Sequence, residues 1–333
     1  MNGDEPLLGI TMGDPAGIGP EIIGAGHGAF VDHGVPVVFG DASVVHRGCQ
    51  AVGVDRSIRV VDRPADATSD VDTIDVVDFA NVTDHEWGVI SAANGRASLE
   101  YVEAAIDAAM DATIDAMVTA PIHKQAIAAA GSTHTGHTGL IGAKTNVTEY
   151  SMLLLEEPLR VSHVSTHVPL REACERVTTE RVEQVIHMTH DAVERLGIPT
   201  PRVAVAGLNP HAGDGGVLGH EEDQEIRPAV ENARHAGVDA IGPISGDTIF
   251  TRALGGDVDC IVAMYHDQGH IPVKLRGFHS DGAVTGVNVT IGVPIVRTSV
   301  DHGTAFDIAG TGTASSRSLE QACEVAAHLV QHE

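Results

Sequence analysis

Four apolar residues, Ile261-Val262-Ala263-Met264, run directly into Tyr265, His266, Asp267, Gln268, Gly269 and His270. The apolar run reads as a buried strand, and polar groups crowd its carboxyl end. In open parallel sheets ligands bind beyond the carboxyl ends of the strands, so a fold built around such a stretch carries its chemistry there. Two other stretches are built the same way: Val164-Ser165-Thr166-His167-Val168-Pro169, and Val203 to Ala206 followed by Gly207-Leu208-Asn209-Pro210-His211. One strand-end histidine is usually structural. Three of them after three apolar runs make His167, His211 and His266 candidate ligands of a divalent metal, because neutral imidazole is the commonest metal ligand and the adjacent Asp267 can orient it.

The rest of the chain alternates in the way a doubly wound sheet requires. Apolar runs at Leu7–Met12, Val37–Gly40, Ile58–Val61, Thr73–Val77 and Ala116–Thr119 are separated by helical segments, including an Ala-rich helix over Ala92–Ala112. Gly13-Asp14-Pro15-Ala16-Gly17-Ile18-Gly19 leads into Pro20-Glu21, a combination that suits helix initiation. It is a glycine-rich βα loop but not a dinucleotide fingerprint. Lys124 falls where a strand ends and a helix begins, and Gly136-His137-Thr138-Gly139 precedes another helix; both are places to meet an anion. Glu180–Leu196 forms an amphipathic helix. The acids Glu221-Glu222-Asp223 are expected to cap a helix running to about Ala236, with cation ligation alongside His220 the lesser reading. Asp247 serves equally as an N-cap or a catalytic acid. Arg297, near the end of an apolar strand, would be costly to bury without an anion and so favours a substrate phosphate.

Length and charge narrow the possibilities further. The 333 residues suffice for two α/β domains, and no Pro/Gly/Ser linker separates them, so both termini are expected to contribute to one domain. A formal net charge of −26 argues against nucleic acid or an anionic membrane as partner. Lys124, Lys144 and Lys274 are the only lysines. An acidic, lysine-poor composition resembles proteins of a high-salt cytoplasm, and it makes each retained lysine a candidate for function. Cys49, Cys174, Cys260 and Cys323 form no CxxC pair, which fits reduced thiols in a cytoplasmic protein. The acidic start MNGDEPLLGITMGD lacks the basic region of a secretory signal, and no apolar stretch approaches bilayer-spanning length.

Two stretches resemble the metal-dependent decarboxylating dehydrogenases of isocitrate and isopropylmalate, whose GDGIGPE and HGSAPDIAG segments correspond here to GDPAGIGPE and HGTAFDIAG. The whole chain resembles a nearer family, the 4-hydroxythreonine-4-phosphate dehydrogenases of vitamin B6 biosynthesis. TMGDPAGIGPE, TAPIHK, GHTG, STHVPL, NPHAGDGG, GPISGDT, YHDQGHIPVK, GVNVTIG and RTSVDHGTAFDIAGTG carry it, in order, along nearly all the sequence.

This resemblance implies two α/β/α domains with mixed, largely parallel sheets, of the isocitrate/isopropylmalate dehydrogenase type. One domain comprises residues 1–130 plus 299–333 on the cofactor side. The other, 131–298, binds metal and substrate and forms a homodimer with shared active sites. His167, His211 and His266 match the metal ligands, one of them expected from the neighbouring subunit, for a single Zn, Co or Mg ion per site. His137, Thr138, Lys274, Asn288 and Arg297 match the contacts to a phosphorylated substrate. His302, Gly303, Thr304, Ala305, Asp307 and Ile308 match the NAD (or NADP) segment, and Asp247, Asp267 and Lys124 are candidates for proton transfer. The implied reaction is oxidation and decarboxylation of 4-(phosphooxy)-L-threonine to 3-amino-2-oxopropyl phosphate. The alternative is the same chemistry on D-threonate or D-erythronate 4-phosphate, and a remote one is a phosphate acyltransferase. The chain departs from the family in having Gly139 where a Glu is usual, and in extra residues around His279-Ser280-Asp281-Gly282-Ala283.

Overall fold

The computed structural model describes residues 5–134, 136–277 and 285–332, so the extra residues around His279 lie outside it. Twelve strands form one sheet: β1 (Leu7–Thr11), β2 (Val35–Gly40), β3 (Ser57–Val60), β4 (Thr73–Asp78), β5 (Ala116–Thr119), β6 (Ser151–Glu156), β7 (Leu159–His163), β8 (Val203–Ala206), β9 (Ala240–Ile244), β10 (Cys260–Ala263), β11 (Val287–Ile291) and β12 (Val296–Val300). Their spatial order is β3-β4-β2-β1-β5-β12-β11-β6-β7-β10-β8-β9. Pairing is parallel from β3 to β12 and again from β7 to β9. Between these runs, β12/β11, β11/β6 and β6/β7 are antiparallel. The mixed, largely parallel α/β architecture is therefore present, and its two parallel runs point in opposite directions.

The helices are α1 (Gly19–Val31), α2 (Ala42–Ala51), α3 (Ala92–Met110), α4 (Lys124–Ala129), α5 (His137–Thr145), α6 (Leu170–Glu175), α7 (Thr179–Arg195), α8 (Arg227–His235), α9 (Gly246–Leu254), α10 (His266–Gly277) and α11 (Arg317–Gln331). The expected elements fall close to these bounds. Pro20 and Glu21 stand in the first turn of α1. Ser91 Oγ accepts from the Asn94 amide and starts α3. Gly95 on α3 has no room for a side chain: a Cβ there would lie 2.1 Å from the Ala126 carbonyl oxygen. That close approach seats α4, and with it Lys124, against α3.

Two local expectations are refined. Asp247 is not an N-cap; Ser245 precedes α9, and its Oγ donates to Asp247 Oδ1 at 2.6 Å. The acids 221–223 do stand at the start of a helix, as expected, but none of them makes a side-chain cap bond there. A π-helical turn over Glu222–Ile226 leads into α8, Glu222 is buried, and Asp223 pairs with Arg227 at 3.0 Å. His266 lies just past the end of β10, as expected, and opens α10.

No described helix is long and apolar enough to cross a membrane. A net charge of −26 repels itself, and salt screens that repulsion within about a Debye length of roughly 10 Å at 0.1 M. The thermal midpoint is therefore expected to rise when potassium chloride is raised from 0.1 M to molar concentrations; a midpoint independent of salt would contradict this.

The loop after β1 buries Asp14, whose Oδ1 accepts from the Ala16 amide at 2.9 Å while Oδ2 has no partner. Burial pushes this carboxyl up from 3.8 to about 6, so between those values the native state binds the extra proton. This group's contribution to stability is then greatest at low pH and declines as pH rises through about 4 to 6. Relative to wild type, Asp14→Asn is expected to gain on the order of 3 kcal/mol by pH 7. Urea titrations at pH 4 and pH 7 should show that gap opening with pH.

Candidate active site

Chain following β5, β7, β10 and β12 converges on one cleft of about 1270 Å³. Its lining includes Lys124, His137, Thr138, His167, His266, Lys274, Asn288, Arg297, His302 and Gly303, so ten of the residues singled out above share one space.

Arg297 is almost fully buried on β12, at 3% exposure. Its Nη1 donates to Thr290 Oγ1 at 3.0 Å and its Nη2 to Thr119 Oγ1 at 2.7 Å, while Nε has no partner. The threonine hydroxyls satisfy hydrogen bonds but carry no charge, so burial alone drives the guanidinium down to about 9. Nearby, the buried Nε2 of His137 and Oδ1 of Asn288 are also unpartnered. Burial, with the Arg297 charge second, holds the His137 imidazole well below its usual range. A sealed cation surrounded by unsatisfied polar atoms is arranged to receive an anion. Lys274, by contrast, is already engaged: its Nζ lies 2.7 Å from Asp301 Oδ2 and 2.8 Å from the Asp301 carbonyl.

Four imidazoles stand together in the same cleft. The rings of His167 and His266 are 5.5 Å apart, His266 and His270 stack at 3.6 Å, and His163 Nε2 lies 3.1 Å from His270 Nδ1. Burial is the main cause holding His163 at about 3 and His270 at about 4, and burial with the nearby Lys124 charge lowers His167. Asp267 Oδ1 lies 2.7 Å from His266 Nδ1. A ring donating Nδ1–H to that carboxylate presents its Nε2 lone pair, the arrangement found behind metal-ligating histidines.

His211 is not in this cleft. It lines a second pocket of about 440 Å³ with Asp247, Asp267, Phe250, Tyr265 and Ile271. Asp267 belongs to that pocket while bonding His266 of the first, so the two spaces adjoin. Within one chain, no group of three His, Cys, Asp or Glu among the described residues is placed to hold a metal. The donor set fits a divalent ion as two neutral imidazoles, His167 and His266, that need completion from elsewhere. His211 is presented by an unusual backbone. From His211 to Gly216 every φ is positive, including those of Ala212 and Asp214. Left-handed geometry costs non-glycine residues roughly 1–2 kcal/mol each. Such strain persists only where the surroundings enforce it.

The 302–308 segment packs against the glycine-rich loop after β1, the Thr304 carbonyl accepting from the Ile18 amide at 3.1 Å. His302 and Gly303 face the cleft, whereas Thr304, Ala305, Asp307 and Ile308 continue away from its lining. Phe306 stacks on His123 at 4.5 Å.

Sequence reading gave no role to His163, Asp301 or Thr119, and placed His270 among the strand-end polar groups without assigning it one. His270 was readable in principle, since four residues from His266 is one helical turn. His163 and Thr119 sit inside apolar strands and gave no signal. Gln268, named with the same strand-end group but given no role, receives the Met264 N–H on its amide oxygen at 2.7 Å and donates to the Gly207 carbonyl at 2.8 Å, tying the end of β10 to that of β8.

Residues 32–326 match the family of the pyridoxal phosphate biosynthetic protein PdxA. The chain is 43% identical over 328 residues to D-threonate 4-phosphate dehydrogenase of Cupriavidus necator, with 97% of each chain covered. It is likewise 43% identical over 327 residues to 4-hydroxythreonine-4-phosphate dehydrogenase of Beijerinckia indica, covering 98% of this chain and 95% of that one. A crystal structure of 4-hydroxythreonine-4-phosphate dehydrogenase from Klebsiella pneumoniae superposes with a TM-score of 0.85 at 40% identity, over 99% of this chain and 100% of that one. Fold, cleft and relatives together define an enzyme of the dehydrogenase class. More narrowly, the chain belongs to the PdxA family.

An uncompensated buried charge is expensive, so Arg297→Met is expected to leave the free protein at least as stable as wild type. The same change should abolish the rise in thermal midpoint that inorganic phosphate gives wild type. Thermal melts of both proteins with and without phosphate test this; a phosphate effect that survives the substitution would contradict it.

Proposed function

We propose that the protein oxidises and decarboxylates D-threonate 4-phosphate, using NAD(P) and a divalent metal, in active sites shared between two copies of the chain. The observation that carries this reading is the sealed, unpaired Arg297 in a cleft that also holds the His167–His266 pair. Similarity to the Cupriavidus necator enzyme supports the hydroxy acid, and Gly139 supports it too by adding no charged side chain beside His137 and Thr138. The second reading is 4-(phosphooxy)-L-threonine, which the Beijerinckia indica relative favours.

In this proposal Arg297, Thr119, Thr290 and His137 form the phosphate seat, with Thr138 and Asn288 beside it. Holding the phosphate fixes the reacting carbon through remote binding energy. When bound, NAD(P) supplies the hydride acceptor and the metal supplies Lewis-acid polarisation of the substrate oxygens. His167 and His266 would hold the metal, His211 of a second copy completing the set. Lys124 stands in the cleft beside His167 and, in its neutral amine form, takes the hydroxyl proton as hydride leaves C3 for NAD(P). The resulting ketone lies β to the carboxylate, so the C1–C2 bond breaks, CO2 departs and its electron pair remains as an enolate. Return of a proton to C2 gives dihydroxyacetone phosphate. Asp247 and Asp267, in the second pocket, are assigned to orienting the donors rather than to this proton. Residues 1–130 with 299–333 would carry the cofactor, and 131–298 the metal and substrate.

The test is NADH formation in high salt from D-threonate 4-phosphate, D-erythronate 4-phosphate and 4-(phosphooxy)-L-threonine, each with and without chelator. Chelator-sensitive NADH from D-threonate 4-phosphate is expected. NADH from the amino acid alone would move the enzyme to the second reading, and none from any of the three would overturn both.

A further inference from the structure

We infer that Glu222 is a positioning residue for His211, its carboxylate acting as the template on which the left-handed turn is wound. This rests on His211 being a metal donor under the proposed function. Glu222 is buried at 2% exposure with no cation bonded to it among the described residues; its hydrogen bonds run instead to the residue two before His211. Oε1 accepts from the Asn209 amide at 2.7 Å and Oε2 from Asn209 Nδ2 at 3.0 Å. Asn209 Nδ2 also donates to Glu221 at 2.8 Å, and the Asn209 carbonyl accepts from the Ala212 amide at 3.1 Å.

The carboxylate also fills the inside of the loop. A Cβ at Gly213 would lie 2.7 Å from Glu222 Oε2, and one at Gly207 would lie 3.2 Å from Oε1. Before and after His211, then, the backbone is moulded around one side chain. The chemistry selects a carboxylate: both partners are N–H donors, and only a group with two acceptor oxygens satisfies both. A glutamine would turn an NH2 group toward one of them. Glu222 is itself set in a π-helical turn, a feature that recurs at functional sites because it redirects a side chain within a helix. A buried acid that makes no side-chain cap bond and, among the described residues, pairs with no base is thereby accounted for.

The experiment measures zinc affinity by competition with a chromophoric chelator in high salt, for wild type, His211→Ala, Glu222→Gln and Asn209→Ala. Outer-sphere partners of metal ligands typically contribute roughly 10- to 100-fold to affinity. Glu222→Gln is expected to weaken zinc binding at least roughly tenfold, approaching His211→Ala, while the phosphate-induced rise in thermal midpoint is retained. That retention separates misdirection of His211 from general loss of structure. If Glu222→Gln does not fold, Asn209→Ala decides, since it removes the Nδ2 bonds and leaves the backbone bond in place. Wild-type zinc affinity in a folded Glu222→Gln or Asn209→Ala, with His211→Ala impaired, overturns the inference alone. Wild-type affinity in His211→Ala overturns the metal reading of His211 and the inference with it.

Discussion

A guanidinium enclosed between two threonine hydroxyls, with no carboxylate paired to it among the described residues, is an uncompensated charge at the centre of this sheet. Arg297 lies on β12, the strand at which the parallel run from β3 gives way to the antiparallel β11 and β6. The buried charge therefore sits on the last strand of the first parallel run, beside the antiparallel β11 and β6 that separate it from the second, and not on a surface loop. Everything else in the cleft is arranged around that fixed charge: α5 brings His137 to it, and β11 brings Asn288 and Thr290. A bound phosphate would add stability at the seam of the fold, which couples ligand binding to the rigidity of the whole.

Much of this was legible in the chain, for a physical reason. Parallel strands buried on both faces read as uninterrupted apolar runs, and those at β5, β8, β10 and β12 were followed by residues that line a pocket. Lys124, His167 and His266 were found that way. The β6–β7 hairpin was not, because Ser151–His163 lacks the alternation that marks an antiparallel strand; both strands lie mid-sheet and are mostly buried. The turn at His211 was also beyond reach. Ala212 does not favour a positive φ, Asp214 tolerates one only as an isolated residue, and the turn packs on a side chain eleven residues beyond His211. The acids at 221–223 look like a helix-start signal, yet tertiary packing takes Glu222 inside. Local chemistry read correctly up to the point where a partner distant in sequence took over.

The donors divide between two spaces in a telling way. His266 faces one and its neighbour Asp267 the other, so a single step along α10 links the imidazole pair to the pocket of His211 and Asp247. With Gln268 fastening the end of β10 to that of β8, the first turn of α10 acts as a rigid partition.

The scarcity of lysine has a practical side. Lys144 is held by Asp107 at 2.6 Å and Lys274 by Asp301, which leaves Lys124, among the described residues, as the lysine with no ion pair. Amine-directed chemistry, indiscriminate on most proteins, meets only three ε-amino groups on this chain, two of them ion-paired. Acylation or reductive methylation would report directly on access to the cleft, and a ligand's protection of one ε-amino group could be read by mass alone.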